Sequence, residues 1–184
     1  MAIEKYTTSA IVLDAYDQGE HDRMFKLFTR EYGLVMAHAR SVRKLTSKLR
    51  AHLLPGKLTL VTLVKGKEIW RLVGAEGQKD KGEIVHEAAK ILRRFIKGEG
   101  EHAILYDRLR DFFDVYPLVQ SSKAKVLLYY IVLVDLGYAD IKKIGATSRK
   151  EYEKWNVNDL YTHLMLTYKD VHMHVSAVLR ESQI

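Results

Sequence analysis

The 184-residue chain contains no cysteine. Disulfides and thiolate zinc sites are therefore excluded, and nothing argues for secretion. Its longest apolar run, Val126 to Val134, has nine residues, far short of the roughly 20 that cross a bilayer as a helix. The opening MAIEKYTTSAIVL has no basic flank and no small-residue cleavage pattern, so it reads as a strand and not as a signal peptide. The expectation is a soluble, cytoplasmic protein. No GxxxxGKS/T phosphate loop is present, which argues against ATP-driven work. His172 and His174 are two apart, on different faces of a helix, with no third ligand at suitable spacing. No metal site and no cofactor is expected. The last absence is local: Tyr32 to Lys67 holds no Asp and no Glu.

What that acid-free stretch does hold is eight basic residues: Arg40, Arg43, Lys44, Lys48, Arg50, Lys57, Lys65 and Lys67. Five of them fall between Arg40 and Arg50, with Ser and Thr between the charges and no helical stripe. A basic, polar, irregular segment set between strand-like segments is an electrostatic footprint for phosphate. A solvated basic loop is the plainer alternative. The chain's formal charge is +7, and residues 1–78 hold thirteen basic groups against eight acidic ones. Residues 79–184 hold seventeen against fifteen. The excess points to an anionic partner for the first part.

The same part reads as five short strands: Tyr6 to Ala15, Met24 to Thr29, Leu34 to Ala39, Leu53 to Val64 and Ile69 to Val73. Glycine-bearing turns separate them, and Pro55-Gly56 marks a bend near the start of the fourth. A small antiparallel barrel removes the exposed edges of such a sheet, and the five-stranded OB-fold is one solution.

After Gly77 the period changes. Glu83 to Lys97, His102 to Tyr116 and Ser121 to Leu136 have helical spacing, the second stopped by Pro117 and the third too apolar to be exposed. Ser148 fits a capping box for a short helix reaching Trp155, and Asn158 is positioned to cap a last one running towards Arg180. The expected class is α+β: an OB-fold nucleic-acid-binding domain over residues 1–78, then a helical bundle over 79–184.

An ordered set of residues resembles the RecO family of bacterial recombination mediators. It comprises Tyr6-Thr7 before Ala10 to Leu13, Gly19-Glu20 with Asp22, Leu27 to Glu31 with Gly33, Ala39 to Arg43 with Ser47, Leu49, Leu53, Pro55, Leu72 and Ala75-Glu76. Leu136-Gly137-Tyr138-Ala139 is similar to the family's LGYAP. The resemblance implies an OB-fold followed by a helical domain in a DNA repair and recombination protein of the bacterial cytoplasm and nucleoid. It implies binding of single- and double-stranded DNA, annealing of complementary strands, and help in loading recombinase onto DNA coated by single-stranded DNA-binding protein. RecR is the implied partner, as is single-stranded DNA-binding protein through its acidic tail. The chain departs from the family in three places. Asp140 replaces the proline, Ile141 to Trp155 is a short Cys-free link where many members carry a four-cysteine zinc module, and Ser41 stands where glycine is usual.

On an OB barrel, Arg40, Arg43, Lys44, Lys48 and Arg50 would lie beside the binding face, and are the first candidates for phosphate contact. Lys26, Arg30 and Arg71, on strands, are the second. Tyr16 and Tyr32, next to loops, are candidates for stacking on bases. No base-reading set is apparent, so sequence-independent binding is expected. Lys123 and Lys125 precede the most apolar helix, where a groove for an acidic, apolar peptide tail is an option. The reading is a non-enzymatic mediator. The alternatives are an OB and helical protein-interaction scaffold, or a nuclease built on Asp14, Asp17, Glu20 and Asp22, the only carboxylate cluster in the first part.

Overall fold

The computed structural model describes residues 4–79, 81–98, 100–115 and 122–182. Five strands come first: β1 (Tyr6–Gln18), β2 (Asp22–Thr29), β3 (Gly33–Ala39), β4 (Leu58–Val64) and β5 (Trp70–Gly77). They close into a barrel of order β1-β2-β3-β5-β4, the closed sheet that the strand series predicts. Every pairing is antiparallel except β3 with β5, a parallel joint made by Ala37 opposite Trp70 and His38 opposite Arg71.

Strand side chains alternate between faces, and that period sorts the barrel. Phe25 and Leu27 on β2, with Val35, Ala37 and Ala39 on β3, fill the interior. Lys26, Met36 and His38 between them face out. β1 is different: Ala10, Ile11, Val12 and Leu13 are all fully buried. Ala10 and Val12 belong to the barrel interior, while Ile11 and Leu13 join Phe28 and Leu58 in a second core shared with the helices. A run of four apolar residues fits a strand covered on both sides. β1 also serves two neighbours, pairing with β4 through Tyr6 to Ile11 and with β2 through Ala10 to Gln18, with a register break between Val12 and Asp14. Such a break bends a strand, as closure of a small barrel requires.

The fourth strand starts later than its apolar pattern suggests. Arg50–His52 is a single 3-10 turn, Leu53 is buried in the barrel interior without being in a strand, and pairing begins at Leu58. Pro55-Gly56 is a turn whose Gly56 N–H donates to the Val12 carbonyl at 2.8 Å.

Five helices follow: α1 (Glu83–Phe95), α2 (Ala103–Val115), α3 (Ser122–Asp135), α4 (Arg149–Lys154) and α5 (Val157–Glu181). α3 is central, buried on nearly every side from Ala124 to Val134. The expected stop at Pro117 lies outside the described residues. Ser148 caps α4 by accepting the Glu151 N–H, but the Glu151 carboxylate turns to the Thr147 N–H at 2.8 Å. Asn156, not Asn158, caps α5, because Asp159 stands three residues after Asn156 and completes a reciprocal capping box. Two arginines tie the barrel to the helices. Arg30 donates twice to Asp107 of α2, at 2.7 and 2.8 Å, and Arg93 of α1 lies 3.5 Å from Asp14 of β1.

Gly33 sets another contact between the halves. Its φ is +61°, and a Cβ there would sit 1.8 Å from the Gly100 carbonyl oxygen in the α1–α2 connection. Gly19 has a similar φ of +65° but nothing within 4 Å. Gly33→Ala is expected to cost about 2–4 kcal/mol of unfolding free energy, and Gly19→Ala only about 1 kcal/mol of backbone strain. Equal costs for the two in urea unfolding would show that the Gly33–Gly100 approach does not constrain the fold.

Candidate nucleic-acid interface

The connection from β3 to β4 carries the basic run, and its root is fixed from the β1–β2 hairpin. The Ser41 N–H donates to Asp22 Oδ1 at 2.7 Å, and Asp22 Oδ2 lies 3.0 Å from His38 Nε2. The Arg43 N–H donates to the His21 carbonyl at 3.0 Å. Its guanidinium donates to the Gly19 carbonyl at 2.8 Å and lies 3.4 Å from Asp17. Val42 and Leu53 are buried in the barrel interior and hold the segment at both ends. The Ser41 N–H, followed by the His38 and Arg40 charges, holds the Asp22 carboxyl below its ordinary pKa of 3.8. Arg23 first, then Arg43, does the same for Asp17.

Ser41 is the one non-glycine with positive φ among the described residues, at 53°. The serine keeps the turn that glycine would adopt without steric cost.

The sequence-predicted residues separate into groups. Arg40, Lys44, Lys48 and Arg50 are exposed, and none makes an ion pair among the described residues. Arg43 is half-buried and serves as the anchor just described. Lys26 sits on β2 between Asp14 of β1 and Met36 of β3. Arg30, near the far end of β2, faces α2 and is held by Asp107. Arg71 is exposed on β5, opposite His38.

Arg40 and Arg71 come together, and they come with residues that the list of candidates lacked. A concave surface of about 790 Å³ is lined by His38, Arg40 and Arg71 on one side and by the β4–β5 hairpin, residues 65–69, on the other. Lys65 and Lys67 from that hairpin bring the cations to four, against one carboxylate, Glu68. A smaller hollow of about 300 Å³ shares His38, Arg40 and Arg71 and reaches Leu49 and Val73. Both lysines belong to the acid-free stretch. Placing them beside Arg40 requires the non-local β3–β5 joint.

The pairing registers extend this surface. Tyr16 of β1 stands opposite Met24, Met24 opposite His38, and His38 opposite Arg71. These four side chains form one row across the outside of the barrel. Tyr16 is 49% exposed, its hydroxyl 3.1 Å from Asp14 Oδ2. Tyr32 is differently placed: with Tyr6 and Trp70 it forms a cluster with ring centroids 5.2 to 5.8 Å apart, packed against the barrel interior.

The other candidates have separate tasks. Asp14, Asp17 and Asp22 each face a different partner, respectively Arg93, Arg23 with Arg43, and Ser41 with His38. Glu20 is exposed. His174 accepts the Asp140 N–H at 3.1 Å, and His172 stacks on Tyr168. Among the described residues, no group of three His, Asp or Glu could hold a metal ion, and no helix is long and apolar enough to cross a membrane. Lys125 pairs with Glu87 at 2.8 Å, and Lys123 lies over Tyr168.

Residues 1–79 match the model of a protein family described as recombination protein O, N terminal. Over 71 residues the chain is 39% identical to a DNA repair protein RecO of Dehalococcoides mccartyi, covering 39% of this chain and 28% of that protein. It is 41% identical over 71 residues to a DNA repair protein RecO of Heliobacterium modesticaldum, covering 39% and 26%. A DNA repair protein RecO of Cutibacterium acnes is 38% identical over 64 residues, covering 35% and 26%. The matched stretch therefore spans about a quarter of these relatives' length, and it is the barrel.

The Asp22 anchor has a pH signature. A lowered carboxyl pKa means that the anchor is present above 3.8 and is lost as pH falls through the lower folded value. The Ser41 amide proton, followed by NMR, should titrate with a midpoint under 3.8, and Asp22→Ala should abolish that titration. A midpoint at or above 3.8 would mean that the contact does not persist in solution.

Proposed function

We propose that the chain, whose residues 1–79 match the recombination protein O N-terminal model, is a RecO-family, DNA-binding mediator of repair and recombination. The observation that carries the reading is the concavity between β3 and the β4–β5 hairpin, where Arg40, Lys65, Lys67 and Arg71 converge with one opposing acid. OB-folds bind oligonucleotides on this kind of surface, the β2–β3 face with the hairpin loop beside it. Lys44, Lys48 and Arg50 extend the positive field along the loop, and Lys26 along β2. Arg43 anchors the root of the loop through the Gly19 carbonyl and Asp17, while Arg30, at the far end of β2, ties the barrel to Asp107 of α2.

Binding is through phosphate, with Tyr16 available for a base, so it is independent of sequence. Both single- and double-stranded DNA are ligands in this reading, and annealing of complementary strands follows from neutralising phosphates on both. The domain division at residues 78 and 79 is part of the same proposal: the barrel for DNA, the helices for partners. RecR and the single-stranded DNA-binding protein are proposed as those partners on family membership. A nuclease is disfavoured because Asp14, Asp17 and Asp22 point to three different partners and leave no shared carboxylate site.

A fluorescent single strand should bind at low salt and weaken steeply as salt rises, with a slope of log K against log salt of about −0.7 per phosphate contact. Arg40→Ala, Lys67→Ala and Arg71→Ala together should lower affinity by about tenfold or more and flatten that slope by about 2. Unchanged affinity and slope would remove the concavity as the site. Loss of full-length probe in the presence of magnesium would favour the nuclease.

A further inference from the structure

Resting on the proposed barrel site, we infer that the nucleic-acid interface continues onto the helical half: the exposed stripe of α1 extends the barrel row, so one strand runs from the β3–β5 concavity across β2 and β1 to α1. The stripe is narrow and nearly uniform. Ile84, Val85, Ala88, Ala89, Ile91, Leu92 and Phe95 of α1 are buried. The exposed positions are Glu83, His86, Lys90 and Arg93, with Lys97 just past the helix end. Spacings of three and four put Glu83, His86, Lys90 and Arg93 on one line down the helix.

Packing brings that line to the end of the barrel row. α1 lies on β1 through the shared core of Ile11 and Leu13, and a Cβ on Gly56 would meet the His86 ring at 2.6 Å. Arg93 is 3.5 Å from Asp14, the same carboxylate that holds the Tyr16 hydroxyl. Tyr16 begins the row that passes through Met24 and His38 to Arg71. Four strands abreast span roughly 14 Å, and the helical part of the stripe, residues 86 to 93, adds roughly 10 Å of rise, with Lys97 just past the helix end. The combined path is longer than the barrel face alone by more than half.

Charge along the added segment is net positive. Lys90 and, from α3, Lys125 pair with Glu87, and Arg93 pairs with Asp14. Lys97 is exposed and makes no ion pair among the described residues, and with Glu83 at the start of the stripe the count is four cations against three acids. Glu87 is a single carboxylate shared by Lys90, Lys125 and the Tyr129 hydroxyl. The helix dipole accounts for Glu83 in the first turn and for cations in the last. It does not account for Lys90 in the middle, nor for the alignment of the stripe with the barrel row. A polyanion long enough to cover both surfaces meets cations at each end of the path and the exposed Tyr16 ring between them.

The test uses the full chain and two labelled single strands, of about six and about twenty nucleotides, within the range that OB barrels cover and just beyond it. Lys90→Gln, Arg93→Gln and Lys97→Gln together should leave the short strand within about twofold of wild type. For the long strand, affinity should fall and the slope of log K against log salt should flatten by more than about 0.7 but less than the roughly 2 of three free cations, because Glu87 and Asp14 already partly match Lys90 and Arg93. Lys97→Gln alone, outside the helix and without an ion pair among the described residues, should flatten it by about 0.7 and guards against misfolding of the triple variant. A wild-type slope for both variants on the long strand overturns the extension while leaving the barrel site intact. Equal loss on short and long strands also overturns it, because the stripe would then not be an added segment. If wild type binds neither strand, the barrel reading itself fails.

Discussion

β1 is the wall that the two halves of this protein share, and most of the structure follows from its being buried on both sides. Alternate residues of Ala10 to Leu13 complete the barrel interior and the helical core. Covering the outer side of β1 requires α1; β1 pairs with both β2 and β4 at Ala10 and Ile11, and beyond the register break after Val12 it continues against β2 alone. Once α1 and α2 occupy the outside of β1 and the far end of β2, the outside of β3 and β5 is what remains open. The location of the basic concavity is thus decided by which strand the helices need.

The acid-free stretch acquires its meaning from acids outside it. Asp17 and Asp22, on the β1–β2 hairpin, hold Arg43, His38 and the Ser41 amide. Their positions fix the root of the loop and leave Lys44, Lys48 and Arg50 at its exposed part with no ion-pair partner among the described residues. A different logic holds inside the helices. There the Asp135 side chain is 2% exposed, and burial pushes its carboxyl up while Arg108 and Arg149 oppose the shift. The surface acids organise a positive field, whereas Asp135 is matched within the core. Removing one partner of such a buried pair leaves an uncompensated charge.

Much of the fold was legible because period-2 and period-3.6 patterns are local. The strands of the barrel, the apolar α3 and the switch after Gly77 all follow from them. The start of β4 was not, because Leu53 and Leu54 continue an apolar run whose first member is buried without joining the sheet. Asn158 resembles a cap, but Asn156 has the acid at the third position that a reciprocal box needs. For the candidate site, the basic residues are visible in the sequence and their partners are not. Arg30 and Asp107 are 77 positions apart, and nothing near Arg30 marks it as a clamp. Lys65 and Lys67 sit in plain view of any charge count, yet only the crossing from β3 to β5 puts them beside Arg40. The outer row from Tyr16 to Arg71 is likewise a property of register, which no single strand displays.

The parallel joint between β3 and β5 is only two residue pairs long, against six or more for the other joints of the barrel. It is the least-bonded line in a closed sheet, and so the line along which the cylinder opens with least loss of hydrogen bonding. The concavity straddles it, with His38 and Arg40 on one bank and Arg71 on the other. A polyanion that gripped both banks would act as a staple across the seam, and its affinity and the barrel's resistance to opening would then be two measures of one coupled free energy.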